Sequence, residues 1–197
     1  MPVDFDSYIE RFNKALQAVS REAVQKVADL LAEARHRQSM VFLIGNGGSG
    51  AAASHACEDL AKGTLRDFER QRRLRALSLT DNTPAILAWA NDEGYERVFV
   101  EQLRTYARPG DLLIAISGSG NSPNVLEAVR WANRNGLKTI GVTGYDGGKL
   151  YREAQVQLHV PVNDMGIAEA VHGVLFHYLV AALVERFAGE DGLAAQS

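Results

Sequence analysis

An apolar run that leads directly into a short polar loop limits the possible folds of this chain more than any other stretch. Residues 111–122 read DLLIAISGSGNS, and the five apolar residues Leu112–Ile116 are typical of a buried strand. The loop after them contains three serines and two glycines, and a helical pattern begins at Pro123. Free N–H groups at a helix N-terminus and serine hydroxyls both donate hydrogen bonds to anions. The stretch therefore predicts a phosphate site in preference to an ordinary turn.

The composition is typical of a soluble globular protein. A chain of 197 residues, 46% of them apolar, is long enough for one domain with a full core. The net charge of −3 predicts no general affinity for nucleic acid. We find no secretory signal and no uninterrupted apolar run near the roughly 20 residues of a membrane span. The single cysteine, Cys57, excludes an intrachain disulfide and suits a reducing compartment, so we expect a cytoplasmic protein.

Strand and helix patterns alternate along the chain. This alternation, with continuous apolar strands, predicts an α/β fold with three layers: a doubly wound, flavodoxin-like parallel sheet of five strands, and an extra N-terminal helix. The strands are expected over 41–44, 76–79, 112–116, 139–143 and 155–160. A helix is expected from Ala51 to Lys62, and a long final helix from Gly166 to Phe187. Ligands of such sheets bind beyond the carboxyl ends of the strands, so the loops at Asn46, Asn91 and Ser117 should share one rim.

The whole chain, 1–197, is predicted to form a single domain with three parts. Residues 1–36 carry one or two amphipathic helices whose apolar stripe suits packing against another subunit. Residues 37–188 form the α/β core, and residues 189–197 are expected to be a frayed tail. The arginine-rich stretch 66–75 is interpreted as a solvated loop or subunit edge in preference to a phosphate-binding patch.

Two predicted helices carry residues that could perform chemistry. His55 and Asp59 are four residues apart and share a helix face, and Glu58 competes with Asp59 for the same histidine. In the final helix, His177 lies about 80° around the axis from Glu169, and His172 lies about 60° the other way. The two histidines diverge by about 140°, so they are not expected to serve one point.

Four stretches in order along the chain strongly resemble the bacterial phosphoheptose isomerases, which are sugar-isomerase (SIS) domain proteins. They are GNGGS at 45–49, ANDEGY at 90–95, ISGSGNS at 116–122 and VTGYDGG at 142–148. The resemblance extends from the N-terminal helix to about Arg186. It implies a SIS domain, a homotetramer with active sites at subunit contacts, and a zinc ion or another divalent metal.

The resemblance also implies roles for individual residues. The phosphate loop corresponds to Ser117, Gly118, Ser119 and Ser122. Further substrate contacts correspond to Asn46, Gly47, Gly48, Asn91 and Asp92. The metal ligands correspond to His55, Asp59, Glu169 and His177, and Asp59, Glu169 and His177 are also the catalytic candidates.

Two of these positions depart from the family. The family has Glu where this chain has Asp59, which is one methylene shorter, and Gln where this chain has Glu169, which adds a negative charge. Two carboxylates and two histidines remain a sound ligand set for zinc or another divalent ion. Without a metal, two neighbouring carboxylates would raise the pKa of one of them and could create a general acid.

The expected activity is the aldose–ketose isomerisation of a phosphorylated sugar. The resemblance implies conversion of sedoheptulose 7-phosphate to D-glycero-D-manno-heptose 7-phosphate through an enediol(ate), with Asp59 at the position of the base. Because Asp59 is shorter than the family Glu, Glu58 and Glu169 are alternative bases. Three alternatives remain. They are a non-catalytic module similar to a replication-initiator-associating protein, a sugar-phosphate-sensing regulator, and an isomerase paralogue for a different sugar phosphate.

Overall fold

The computed structural model describes residues 4–193 and contains five strands with helices on both sides. The strands are β1 (Met40–Gly45), β2 (Arg75–Ser78), β3 (Leu112–Ile116), β4 (Lys138–Thr143) and β5 (Val156–His159). The helices are α1 (Phe5–Gln17), α2 (Arg21–Arg37), α3 (Gly47–Glu58), α4 (Thr83–Asp92), α5 (Val100–Tyr106), α6 (Pro123–Arg134), α7 (Gly148–Glu153) and α8 (Met165–Glu190). A π-helical turn, Asp59–Gly63, continues α3, and a 3₁₀ turn, Tyr95–Arg97, separates α4 from α5.

The five strands form one parallel sheet in the order β2-β1-β3-β4-β5. This order is that of flavodoxin-like folds, so the predicted doubly wound architecture is confirmed. The central strand is β3, which is buried at all its positions and pairs Leu113 with Phe42 on one side and Thr139 on the other. The apolar run that begins at Leu112 is therefore the middle of the sheet.

Alternate residues of the strands point into two separate cores. Leu112, Ile114 and Ile116 belong to the cluster that joins the sheet to α1, α2, α3 and α8. Leu113 and Ala115 belong to the cluster on the other face, which includes residues of α5 and α6. Both faces of the sheet are covered, which explains why its strands read as continuous apolar runs.

The N-terminal segment forms two helices that pack on the final helix. Ser20 caps α2 by accepting a hydrogen bond from the Ala23 N–H, which separates α2 from α1. Arg11 of α1 lies 2.5 Å from Asp164, which in turn caps the start of α8. Residues 1–3 of the predicted N-terminal segment lie outside the described residues.

Several boundaries differ from those predicted. Helix α3 begins at Gly47, four residues before the expected Ala51, because the glycines there resemble a loop but form the first helical turn. The short helix α7 lacks the length for a periodic pattern and was not anticipated. Residues 189–190, assigned to a frayed tail, belong to α8, and residues 194–197 of that tail lie outside the described residues.

The end of α8 is held by a buried arginine of α2. Arg35 is 1% exposed, forms ion pairs with Glu190 (3.2 Å) and Asp191, and lies 4.3 Å from the centre of the Phe187 ring. These contacts explain why the helix continues past the predicted Phe187.

By length and mean hydropathy, α8 would qualify as a membrane span, although charged and imidazole residues interrupt its apolar sequence. In the fold it is a core helix, because residues such as Leu179 and Leu183 are buried against the sheet and the neighbouring helices.

Candidate active site

The serine loop lies at the carboxyl end of β3, where the sequence predicted it. The hydroxyl oxygens of Ser117 and Ser122 lie 3.2 Å apart, and the Ser119 hydroxyl accepts a hydrogen bond from the Asn121 N–H. Ser122 is the N-cap of α6, but its side chain forms no capping bond with the helix. The loop borders a cavity of 140 Å³ whose lining includes Gly118 and all three serines. Hydroxyls and a helix N-terminus therefore converge on one small cavity.

The loop is braced by the segment that follows β4. Gly120 has a φ of +65°, and a side chain there would lie 2.0 Å from the Gly147 carbonyl oxygen. The Gly120 carbonyl accepts from the Leu150 N–H (2.9 Å), and the Asn121 side chain accepts from the Lys149 N–H (3.2 Å). The end of the VTGYDGG stretch and the start of α7 thus pack against the loop, and only a glycine fits at position 120.

Glu169 of α8 lines the same cavity, together with Met165. A Cβ atom added to Gly48 would lie 2.6 Å from the Glu169 carboxylate, so the carboxylate rests against the first turn of α3. The partial positive charge of a helix N-terminus favours an anion at this point. Gly48, which the sequence placed among the substrate contacts, therefore gives Glu169 the space that it occupies.

Asn46 also borders the cavity, and its amide is held by two neighbours. Its side chain exchanges two hydrogen bonds of 2.9 Å with the amide of Asn124, which is 1% exposed. The Tyr95 hydroxyl donates to the Asn46 carbonyl oxygen at 3.0 Å. Asn46, Gly47 and Tyr95 also line a neighbouring cavity of 270 Å³. Asn124 and Tyr95 were missed by the sequence reasoning, although Tyr95 ends the quoted ANDEGY stretch.

Asn91 and Asp92 lie at the end of α4, where both are exposed and the Asn91 amide donates to Asp92 at 2.7 Å. Among the described residues, neither lines either of the two cavities. Their segment reaches the rim through Tyr95 instead. Their assignment as substrate contacts stays a prediction.

A second group of side chains lies where α3 passes α8. The Asp59 carboxylate is 3.5 Å from His55 Nε2 and 3.4 Å from His177 Nδ1. The two imidazole rings meet edge to face with their centres 5.1 Å apart. The structure therefore brings His177 of α8 next to His55 and Asp59, which are four residues apart. Both histidines are more than 60% exposed, so the group is open to a ligand.

The local helix geometry selects Asp59 over its neighbour. The α-helical part of α3 ends at Glu58, and the π-helical turn begins at Asp59; such turns are frequent at functional sites. Glu58 points elsewhere, because its carboxylate lies 3.7 Å from the Lys62 ammonium group. Of the two adjacent carboxylates, only Asp59 faces the histidines.

The residue types and spacing of the group are those of a possible site for a divalent metal ion. One atom each of His55, Asp59 and His177 lie within 4.8 Å of one another. In a tetrahedral zinc site with bonds of about 2.1 Å, two ligand atoms are about 3.4 Å apart. The two histidine–carboxylate distances here, 3.5 Å and 3.4 Å, are close to that value. Three protein ligands leave a fourth position open, which is the pattern of catalytic zinc sites. Glu169 is outside this group, and its role as a further ligand stays a prediction.

His172 lies apart from the other two residues that α8 contributes. It is 1% exposed, and its Nε2 atom lies 3.1 Å from the Thr143 carbonyl oxygen. Burial lowers the pKa of His172 to about 4, so the ring is neutral near pH 7. The predicted divergence of the two α8 histidines is confirmed, because His172 points into the core and His177 is exposed.

Comparisons with known proteins agree with this arrangement. The SIS domain family model matches residues 4–144. The phosphoheptose isomerase of Aliarcobacter butzleri is 37% identical over 182 residues, which are 92% of this chain and 94% of that protein.

Two solved structures are also similar to this chain. The phosphoheptose isomerase of Neisseria gonorrhoeae superposes with a TM-score of 0.82 at 32% identity, over 91% of this chain and 94% of that one. That of Francisella tularensis has a TM-score of 0.84 at 28% identity, over 92% and 94%. The match to the family model and the similarity over nearly whole chains show that this chain belongs to the SIS domain family, within the group formed by the phosphoheptose isomerases.

Proposed function

We propose that the protein is an aldose–ketose isomerase that converts sedoheptulose 7-phosphate to D-glycero-D-manno-heptose 7-phosphate. The observation that carries the proposal is the position of the Asp59 carboxylate between two imidazoles, in a fold whose loop after β3 lines a serine-rich cavity. The names and the extent of similarity of the relatives support the same reaction. The substrate carries a phosphate for the cavity and a carbonyl group for the carboxylate.

In the proposed complex, the serine loop binds the phosphate of the sugar. The hydroxyls of Ser117, Ser119 and Ser122 and the N-terminus of α6 donate hydrogen bonds to its oxygens. The phosphate does not react, so its binding energy serves to position the distant carbonyl end. Asn46, held by Asn124 and Tyr95, lies at the edge of this cavity and is the first contact proposed for the sugar chain.

Helix α8 supports both ends of the proposed site. Glu169 lines the cavity proposed for the phosphate. His177, eight residues later, belongs to the group formed with His55 and Asp59. Eight residues correspond to about 12 Å along an α-helix. This spacing leaves room for an open sugar chain to extend from the serine loop towards Asp59.

The proposed chemistry is the movement of one proton between neighbouring carbon atoms. Asp59 removes a proton from C1 of the ketose, next to the C2 carbonyl, and an enediolate forms. The same proton-carrying group returns a proton to C2, while His177 transfers the proton between the two hydroxyl oxygens. His55 and His177 lie against Asp59 and keep its carboxylate in one orientation. Glu169 remains a second candidate for the base, and Glu58 is disfavoured by its contact with Lys62.

We also propose that His55, Asp59 and His177 hold a divalent metal ion, with zinc the best match to the ligand types. When bound, such an ion would supply Lewis-acid stabilisation of negative charge on the sugar oxygens. Asp59 would then act as both ligand and base, so metal content and activity should be measured together.

The assembly and location are part of the same proposal. We infer a homotetramer, with active sites at subunit contacts, because His177, Tyr178 and Val174 are exposed along α8 and His55 of α3 is exposed beside them. We place the enzyme in the cytoplasm, where the free Cys57 would stay reduced.

A different sugar phosphate is the second candidate substrate. The Glu169 carboxylate lines the cavity proposed for the phosphate, and its charge distinguishes this cavity from one lined by a neutral amide. An isomerase for a shorter or differently substituted sugar would use the same proton transfer. The base and the serine loop would keep their roles.

The experiment is incubation of the purified protein with sedoheptulose 7-phosphate, with and without added zinc, followed by product analysis. We expect the aldose heptose 7-phosphate to form, and chelation of the metal to slow its formation. Other phosphorylated ketoses in parallel reactions test the second candidate. Absence of turnover with every sugar, at any metal concentration, would contradict an isomerase.

A further inference from the structure

The buried His172 is used by none of the steps above. Its Nε2 atom lies 3.1 Å from the Thr143 carbonyl oxygen, which can only accept, so Nε2 carries the proton and donates it. The Nδ1 atom is then an acceptor, and it has no hydrogen-bond partner among residues 4–193. A buried acceptor without a partner costs free energy, so stability alone gives a poor reason for a histidine here.

The peptide group that His172 contacts also contacts the serine loop. Its carbonyl belongs to Thr143, and its N–H belongs to Gly144, which donates to the Gly118 carbonyl oxygen at 2.8 Å. A Cβ atom on Gly144 would lie 2.9 Å from the Ala168 side chain and 3.2 Å from the Gly118 oxygen. The peptide is therefore tightly enclosed between α8 and the loop. Its N–H donates to the loop, and its carbonyl oxygen accepts from His172 on α8 and also from the Val160 N–H at 2.9 Å.

The orientation of the next peptide in the loop follows from this contact. All peptide bonds in the described part of the chain are trans. The C=O and N–H of the Gly118–Ser119 peptide therefore point in opposite directions. Because the Gly118 carbonyl points at Gly144, the Ser119 N–H points away from Gly144. Gly118 and Ser119 both line the 140 Å³ cavity.

We propose that His172 is a positioning residue: through the Thr143–Gly144 peptide it holds the Gly118–Ser119 peptide so that the Ser119 N–H is presented to the phosphate. The inference rests on the proposed function, because it requires an anion at the serine loop. The neutral state of the ring matches this task, since a neutral imidazole with its proton on Nε2 is a pure donor towards Thr143. The neighbouring Tyr145 has a φ of +49°, which is rare for an aromatic residue and consistent with a constrained segment.

The test compares two amide substitutions of nearly equal polarity. The Gln side chain in His172→Gln places an N–H donor near the position of Nε2, whereas the shorter side chain in His172→Asn reaches only the position of Nδ1. We expect His172→Asn to weaken the binding of inorganic phosphate, measured by calorimetry, by about 10-fold to 100-fold, the range for a lost hydrogen bond to a charged group. His172→Gln should bind within about threefold of the wild type. The Michaelis constant for the sugar phosphate should rise more than kcat falls.

His159 provides a matched control. It contacts the same threonine, but through the side chain: its Nδ1 atom lies 2.9 Å from the Thr143 hydroxyl, whereas His172 contacts the carbonyl oxygen. His159→Gln should therefore leave phosphate binding unchanged. An equal loss in His159→Gln and His172→Asn, or equal binding by the two His172 variants, would overturn the proposal.

A measurement on the wild type remains decisive if a variant does not fold. In an amide NMR titration with inorganic phosphate, the Ser119 N–H resonance should move downfield and become protected from exchange. A Ser119 amide that does not respond, while other loop amides do, would overturn the positioning role and leave the proposed function intact. If wild-type protein binds no phosphate by either method, the serine-loop site itself is wrong.

Discussion

Asp59 is the residue on which the proposed chemistry depends, because its carboxylate faces two imidazoles while the adjacent Glu58 faces Lys62. The sequence indicated that His55 could pair with either acid at helical spacing, and the π-helical turn beginning at Asp59 makes the choice. The proximity of His177 followed from the resemblance and could not have been derived from local patterns, since 118 positions separate it from Asp59. Asn124 and Tyr95 were missed for the same reason: their contacts with Asn46 exist only in the folded chain.

Removal of the charge on Asp59 should abolish turnover. We expect Asp59→Asn to lower kcat by about 10²-fold to 10⁴-fold, the usual contribution of a general base, and to leave phosphate binding at the serine loop within about twofold. The adjacent substitution Glu58→Gln is the matched control and should retain activity. Steady-state kinetics together with phosphate calorimetry check both statements. Full activity of Asp59→Asn would make Glu169 the remaining candidate.

The Glu169 carboxylate should oppose the binding of a phosphate dianion, because it lines the same cavity as the serines. Two like charges near a protein surface repel by about 1 kcal/mol or more at short range, which corresponds to about fivefold in affinity. Glu169→Gln is therefore expected to bind inorganic phosphate more tightly, with a smaller gain at high salt. Weaker binding by this variant would show that the carboxylate assists the anion, for example by holding a cation.

Helix α8 is the element that links the two halves of the site. It contributes Met165 and Glu169 to the serine-lined cavity, His172 to the contact with the Thr143–Gly144 peptide, and His177 to the group around Asp59. Its existence was predicted well, because it is long and strongly apolar. Its end at Glu190 was not, because the ion pairs with Arg35 are a tertiary contact. The start of α3 was also misplaced, because a run of glycines is typical of a loop. The contact of Gly48 with Glu169 exists only in the folded chain.

The buried histidine of α8 should make the stability of the fold depend on pH. Burial lowers the pKa of His172 to about 4, whereas an unfolded histidine titrates near 6.5. As pH falls from about 6.5 to 4, the unfolded state binds a proton that the folded state does not, so the free energy of unfolding decreases, in total by about 3 kcal/mol. Urea denaturation of the wild type and His172→Gln at several pH values isolates this contribution. Parallel pH profiles of the two proteins would refute it.

On the scale of the whole molecule, the described chain leaves an apolar surface without cover. Phe5 of α1 is 73% exposed and Tyr178 of α8 is 56% exposed. Tyr178 also borders a groove of 460 Å³ between α1, α2 and α8, which is lined by Leu16, Val24 and Leu175 among others. The sequence predicted that the N-terminal helices would need a surface to bury their apolar stripe, and part of that stripe packs on α8. The remaining part supports the proposed assembly.

A charge placed on this surface should break the assembly and the activity together. We expect wild-type protein to show a tetramer mass by light scattering, and Tyr178→Glu to shift it to smaller species, because a buried unpaired carboxylate is costly at an interface. Isomerase activity should fall in parallel, since His177 is the adjacent residue. Tyr106→Glu, at an exposed tyrosine of α5, is the control and should change neither property. A monomeric wild type with full activity would contradict the proposed arrangement.

Proton transfer through an enediolate leaves an isotopic record that follows directly from the placement of Asp59. Sedoheptulose 7-phosphate should be incubated with the protein in D₂O and analysed by NMR and mass spectrometry. We predict that the aldose product carries deuterium at C2, that recovered ketose carries deuterium at C1, and that Asp59→Asn removes both signals. Exchange at C1 and C2 that is undiminished in Asp59→Asn would contradict a base at this position.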